Sequence, residues 1–437
     1  MITISFRVDD YFYVAYSCLS IQKYTLRRLE MRTKLKGIFL TSLLASSSFL
    51  AQSEEVSVVH FWVTGSESKA LEVIINNVKE QGYDWKDISG NNRSTAMSLY
   101  NNMRAADQAV DAVIWQPGPG LFEMVDANQV RNLDDIAKAE KWDNVFYSSV
   151  QELSKYKGSY YSIPTNIHGA NWMFYSMDVL SESGVEVPTT WSEFLEAAPK
   201  IKAAGFTPLA LGGEAWQERI LFMSIALGEG GKTWFEDVFL KGNIEKLDSP
   251  TGKRVITMFR ELNKFVDAGS PGRNWNDTTG LLIQDKAAFQ FMGDWAKGEF
   301  AASDQKIGSD YGCRVAPGYE ALMVQVDNFI APSSGNIDAQ NAFIKAATSA
   351  KSQEEFSVHK GSLPIRKDAD VSHLDECVSY AFDLLGDSSK QSLNPTQVMS
   401  PDAMGGLMDA ITNFWNNKNI SNEDGIASII DAVEMAK

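Results

Sequence analysis

Apolar side chains recur along this chain at two spacings. Residues 56–62 form a strand-like apolar run, and 66–81 carry Leu71, Ile74, Ile75 and Val78 at helical intervals. The succession returns as a helix over 94–108 and a short strand over 111–115, which Gln116-Pro117-Gly118-Pro119-Gly120 breaks into a turn. Strand-like 170–175 then leads into helices at 191–204, 215–227, 251–268 and 275–283. A strand at 287–292, a helix at 294–302 and a strand at 323–330 follow. The tail from 338 is mainly helical and ends in amphipathic segments at 402–416 and 422–436. Alternating strand and helix predicts an α/β protein with mostly parallel sheets. No repeat, low-complexity tract or Pro-rich linker divides the chain, so two lobes joined by short crossings fit better than two domains on a tether.

One apolar stretch stands outside this scheme. Residues 37–50, rich in Leu, Ile, Phe and small side chains, follow the basic Met31-Arg32-Thr33-Lys34-Leu35-Lys36. That layout predicts a secretory signal peptide over 31–53, cleaved after Ser53 or, alternatively, after Ala51. No cysteine stands there to carry a lipid. The run is shorter than the ~18 residues a membrane span needs, and no other stretch is long enough. Residues 1–30 contain Asp9, Asp10 and Glu30, which do not suit the leading region of a signal; they read as a misassigned start rather than a true extension.

Without its first 53 residues, which hold seven Lys/Arg and three Asp/Glu, the chain moves from a formal charge of −16 to −20. Such a surface repels phosphate backbones and anionic lipid, which argues against nucleic-acid and membrane-surface partners. Cys18 falls in the discarded part, leaving Cys313 and Cys377 as the one pair in an oxidising compartment. A single disulfide is the economical expectation, two buried free thiols the alternative. Two separated cysteines and four scattered histidines build no metal site.

In folds of this kind ligands collect at the carboxyl ends of strands. There stand Phe61 and Trp62 with Glu67, then Trp115-Gln116, then Asn166, His168 and Asn171, and finally Gly293-Asp294-Trp295; Trp216-Gln217 and Trp275 add to them from loops. A pyranose presents C–H patches on its faces and hydroxyls at its rim. Its site therefore needs flat aromatic platforms plus carboxylates and amides, many at once, because each hydrogen bond contributes only ~1 kcal/mol net. Packing competes with this reading. Phe61 serves equally well in a core, His168 could be a satisfied structural histidine, and Trp142, Trp172, Trp191, Trp234 and Trp415 sit where packing is the default.

Taken in order, several segments resemble the type 1 extracellular solute-binding proteins of carbohydrate ABC transporters, in particular the glucose/mannose-binding branch. They are His60-Phe61-Trp62 with Glu67, Ile163-Pro164-Thr165-Asn166-Ile167-His168 with Asn171, Pro188-Thr189-Thr190-Trp191, Pro208-Leu209-Ala210 with Trp216-Gln217, Lys286-Ala287-Ala288-Phe289 leading to Met292-Gly293-Asp294-Trp295-Ala296, and Lys360-Gly361-Ser362-Leu363-Pro364. The resemblance implies a two-lobe periplasmic-binding-protein fold (type II), each lobe a mixed, mostly parallel sheet flanked by helices. The lobes would be 54–164 with about 316–360, and 165–315 with about 361–437.

Trp62 and Trp216 would then be stacking platforms, and Glu67, Asp294 and Lys360 would bond hydroxyls with help from Asn166, His168 and Asn171. Gln116, Gln217, Trp275 and Trp295 complete the expected sugar site. Cys313 and Cys377 fall where some relatives place a disulfide. The implied protein is a periplasmic monomer without cofactor or metal that hands sugar to permease subunits and is not an enzyme. Departures bear on the ligand: Phe61-Trp62 replaces the usual Trp pair, Ile114 and Gln116 stand where relatives carry Gln and His, and 391–401 lacks a His. Rival readings are a glycoside hydrolase using Asp294 and Glu67, a sugar-sensing partner of a chemoreceptor or histidine kinase, and a polyamine- or metal-binding relative.

Overall fold

A computed structural model describes residues 54–372 and 375–435; the leading segment and signal expected over 1–53 lie outside them. Among the described residues no helix is long and apolar enough to cross a membrane.

The chain opens with β1 (Glu55–His60), α1 (Gly65–Glu80), β2 (Asp84–Ser89), α2 (Arg93–Ala105) and β3 (Ala112–Trp115). A capping box starts α1. Thr64 Oγ1 accepts from the Glu67 backbone, and the Glu67 side chain returns to the Thr64 N–H, satisfying groups a helix otherwise leaves open. Strands β1 and β3 are buried apolar runs, as parallel strands covered on both faces must be. The hydrophobic pattern missed β2 because Asp-Trp-Lys-Asp-Ile-Ser is an edge strand with mostly solvated side chains.

After several short helices over 119–154, and with further helices between them, the elements that build the site are β4 (Ser162–Gly169), β5 (Trp172–Ser176), β6 (Thr207–Ala210), α3 (Ala215–Phe235), β7 (Ala287–Met292), α4 (Ala296–Ala302), β8 (Tyr311–Val315) and β9 (Leu322–Ile330). The described chain closes with α5 (Ala350–Lys360), α6 (Glu376–Gly386), β10 (Gln391–Leu393), α7 (Pro401–Asn416) and a last helix, Asn422–Glu434. The first sheet joins β2, β1, β3, β9 and β10, with β4 antiparallel along β9. The second sheet runs β8, β5, β7, β6. Residues 165–169 and 391–393 thus pair in the first sheet rather than with the second. The chain passes between sheets at 170–171 and returns over 316–321. The second sheet is also less parallel than expected. Its two pairings through β5 are antiparallel and only β6 with β7 is parallel, because β5 enters directly from the crossing without a helix to reverse it.

Asn171 stitches the two crossings together: Nδ2 donates to Ala321 O at 2.9 Å, and Oδ1 accepts from Met323 N at 2.7 Å. The second lobe fills its core with Trp191, Phe194, Phe222, Phe259, Phe289 and Phe291. Trp142, Trp172 and Trp415 are likewise buried. Cys313 on β8 is joined to Cys377 in the first turn of α6, with Cα atoms 6.1 Å apart.

Closing a loop of 64 residues removes enough unfolded-state freedom to stabilise the chain by about 4 kcal/mol in the chain-entropy account. The double replacement of Cys313 and Cys377 by Ser should lower the urea-unfolding free energy by that order. A loss under about 1 kcal/mol would show that the bridge does not restrain the unfolded chain.

Candidate functional site

The end of β4 meets the end of β7 at the junction of the two sheets. Asp294, two residues past β7, accepts from Gly169 N at 2.9 Å and from His168 Nδ1, and its own N–H donates to Gly169 O at 3.0 Å. The other ring nitrogen of His168, Nε2, donates to Asp327 Oδ2 at 3.2 Å. An ionised carboxylate can only accept, so a histidine between two of them is an imidazolium. Burial works to lower its pKa, but the charges and bonds of Asp294 and Asp327 outweigh burial and hold it above the ordinary value. For Asp327 burial works upward, and the charge and bond of His168, followed by Lys360, hold it well below the usual carboxylate range.

Strand register creates this meeting. In the antiparallel β4/β9 pair, Asn166 stands opposite Asp327 and His168 opposite Gln325, so all four side chains share one face. The register slips by one residue at Asp327/Asn328, where Pro164 cannot donate to the ladder, and Thr165 Oγ1 instead donates to Asp327 O at 2.9 Å. From Asp327 the contacts continue. Gln325 Nε2 donates to Asp327 Oδ1 at 3.4 Å, Asn394 Nδ2 to Gln325 Oε1 at 2.9 Å, and Arg219 Nη1 to Asn394 Oδ1 at 3.5 Å. This polar chain begins on the second lobe at Asp294, crosses the first sheet, and ends on the second lobe at α3.

A second ionic pair adjoins it. Lys360, the last residue of α5, donates to Glu67 Oε1 at 3.0 Å, while the other oxygen of Glu67 serves the start of α1. Gly361 ends α5 at φ +73°, and a β-carbon there would come within 2.7 Å of Asp294 O, so only glycine lets the three segments converge. Lys360 Nζ lies 5.3 Å from the Trp62 ring centroid. Trp62 itself is 2% exposed and packed against Phe329 and Phe356.

Half-buried aromatics beside the junction include Trp295, whose ring is 5.0 Å from His168 edge-on, and Trp216, 6.2 Å from Trp295. Gly293 leaves room for that indole, since a β-carbon there would sit 2.0 Å from it.

Of the expected sugar-site residues, the structure gathers Glu67, Asn166, His168, Asp294, Trp295, Lys360 and Trp216 around this junction. Trp62 is in the core beneath Lys360. Asn171 is spent on the crossings, and Gln217 on Gly212 N and the Glu214 carboxylate. Gln116 and Trp275 are half-buried, with no side-chain hydrogen bond to the cluster among the described residues. Sequence reasoning passed over Asp327, Gln325, Arg93, Arg219 and Asn394. A signal existed for two of them: Gln325 and Asp327 interrupt the apolar run of β9 at a spacing of two, which puts both on one face. Among the described residues no group of His, Cys, Asp and Glu is arranged to hold a metal ion. Asp294 and Glu67 are each tied to a cationic side chain and to backbone N–H groups.

The profile of the family described as "Bacterial extracellular solute-binding protein" matches residues 72–354. The "Probable sugar-binding periplasmic protein" of Brucella melitensis is 32% identical over 419 residues, spanning 92% of this chain and 98% of the relative. That of Rhizobium meliloti is 29% identical, spanning 93% and 100%. Among solved structures, one described as "Chitin oligosaccharide binding protein" superposes with a TM-score of 0.76 at 17% identity, covering 88% of this chain and 99% of its own. "Maltose bound T. maritima MalE3" gives 0.74 at 18%, covering 88% and 100%. At such identities these two speak for the two-lobe fold.

Folding raises the pKa of His168, so its ion pairs contribute fully below the ordinary value of 6.5 and fade as pH rises through the elevated folded value. The stability difference between wild type and His168→Gln should therefore be larger at pH 6 than at pH 9 in urea unfolding; a difference flat over that range would sink the ion-pair assignment. Asn171→Ala should cost roughly 3 kcal/mol by orphaning buried backbone groups at both crossings, whereas a residue that only touches ligand would leave unfolding unchanged.

Proposed function

Because this chain belongs to the bacterial extracellular solute-binding proteins, among those of carbohydrate ABC transporters, we propose that its lobes close on a monosaccharide of the glucose or mannose type, or on a short saccharide, and deliver it to the permease. The chain is a sugar-binding component and not an enzyme. The observation that carries the finer reading is the junction itself. Asp294, His168 and Lys360 form a fixed polar rim beside the flat faces of Trp295 and Trp216, the combination a pyranose requires. Preorganised groups of this kind bind without reordering side chains at the moment of capture.

Export through the segment 31–53, action as a monomer in the periplasm, and bending at 170–171 and 316–321 belong to the same proposal. Sugar bridging both lobes would favour the closed form by the contacts available only there. The sugar chemistry of the relatives by name, and the same fold in the chitin-oligosaccharide and maltose binders, support it.

Tryptophan fluorescence and thermal shift of the protein from Glu54 onward would be followed against glucose, mannose, galactose, maltose, cellobiose, sucrose, glucuronate and spermidine. The expected result is saturable binding of one or two saccharides, weakened at least 100-fold by Asp294→Ala in a variant that still unfolds cooperatively. Silence toward every saccharide, or a response to the amine alone, would refute it.

A further inference from the structure

One buried cation near the junction of the lobes has no carboxylate partner among the described residues. Arg219, near the start of α3, is 7% exposed, and its one hydrogen bond among the described residues is the 3.5 Å contact to Asn394 Oδ1, with no carboxylate in salt-bridge reach. Its neighbour Glu218 does not serve: that carboxyl turns to Asn416 Nδ2 of α7, and burial raises its pKa toward the neutral form. Burial pulls Arg219 down only to about 10, so it remains a cation at neutral pH. A guanidinium has five N–H donors, and burying one with a single long contact is costly unless acceptors arrive from elsewhere.

Arg93 repeats the situation on the first lobe. It leads α2, is half-buried, and has no hydrogen bond or ion pair among the described residues; burial lowers its pKa to about 10, with the Asp327 charge acting against the shift. Around the junction, Arg93, His168 and Lys360 share the charges of Glu67, Asp294 and Asp327, whereas Arg219, at the far end of the polar chain, has no charged partner among the described residues. One positive charge is left over, and it sits inside a chain whose formal charge is −16.

We propose that the cargo is an acidic sugar, a saccharide carrying one carboxylate such as a hexuronate, whose carboxylate pairs with Arg219 on lobe closure while Arg93 supplies positive charge from the first lobe. The inference rests on the sugar-binding reading and narrows its ligand class. Planar guanidinium and planar carboxylate match in a two-pronged bond that Lys does not reproduce. A neutral hexose leaves Arg219 uncompensated, and a site that withholds compensation from one ligand and grants it to another discriminates strongly. The excess of a single charge favours a carboxylate over a phosphate dianion.

Calorimetric titration of the protein from Glu54 onward at 0.15 M salt would compare glucuronate, galacturonate and mannuronate with glucose, galactose and mannose, and with glucose 6-phosphate. At least one hexuronate should bind 30-fold or more tightly than its neutral parent. Arg219→Gln should bring that ratio to near one, and Arg93→Gln should lower it several-fold. Should Arg219→Gln fail to fold, Arg219→Lys keeps the charge and should still cut the ratio about tenfold. A neutral hexose bound as tightly as its uronate would overturn the acidic-sugar assignment and leave sugar binding standing. Preference for the sugar phosphate would overturn the carboxylate. Absence of binding to any saccharide would strike at the sugar-binding function itself.

Discussion

Everything at the junction depends on His168 being charged between Asp294 and Asp327. Each of these groups alone would lose several kcal/mol on leaving water, and the loss is recovered only while all three keep their positions. Asp294 belongs to the end of a second-sheet strand, whereas His168 and Asp327 lie on paired strands of the first. The ion pairs therefore fix the strand ends of two sheets against each other at the place where the chain crosses. Asn171 holds the same crossing through the backbone.

Several side chains serve structure and site together. Glu67 closes the capping box of α1 with one oxygen and receives Lys360 with the other, so the condition for starting a helix also orients the carboxylate that Lys360 meets. Lys360 arrives at the end of α5 and is aimed by the turn that Gly361 permits. The polar chain from Asp294 to Arg219 is built in the same economy, with each amide donating to one neighbour and accepting from another. Its last member is the one whose hydrogen bonding is incomplete. That asymmetry, rather than the number of aromatic rings, is the ground for proposing an acidic sugar as the ligand.

The helices α1, α2, α3, α4, α7 and the last one, and the strands β1, β3, β5, β7 and β9, were legible because their apolar positions follow the period of the element. β2, β4, β6, β8 and β10 were not. β2 is a polar edge, and β4 buries Thr165, Asn166 and His168 because those side chains have partners inside. Polar residues with internal partners look like a loop to any reading of hydrophobicity. The mostly parallel expectation failed in the second sheet for a similar reason: strand direction there follows from how the crossing delivers β5, which the local pattern does not record.

By itself the sequence determined the alternation of strand and helix, the pair of cysteines, and the kind of side chain standing at each strand end. These are local properties, set by period and composition. The tertiary structure decided which of those side chains meet. His168 finds its partners 126 and 159 residues away, and Trp62, indistinguishable in sequence from a stacking platform, is claimed by Phe329 and Phe356. A buried polar or aromatic group takes its role from its neighbours, and those are brought to it only by strand register and the crossing of the lobes.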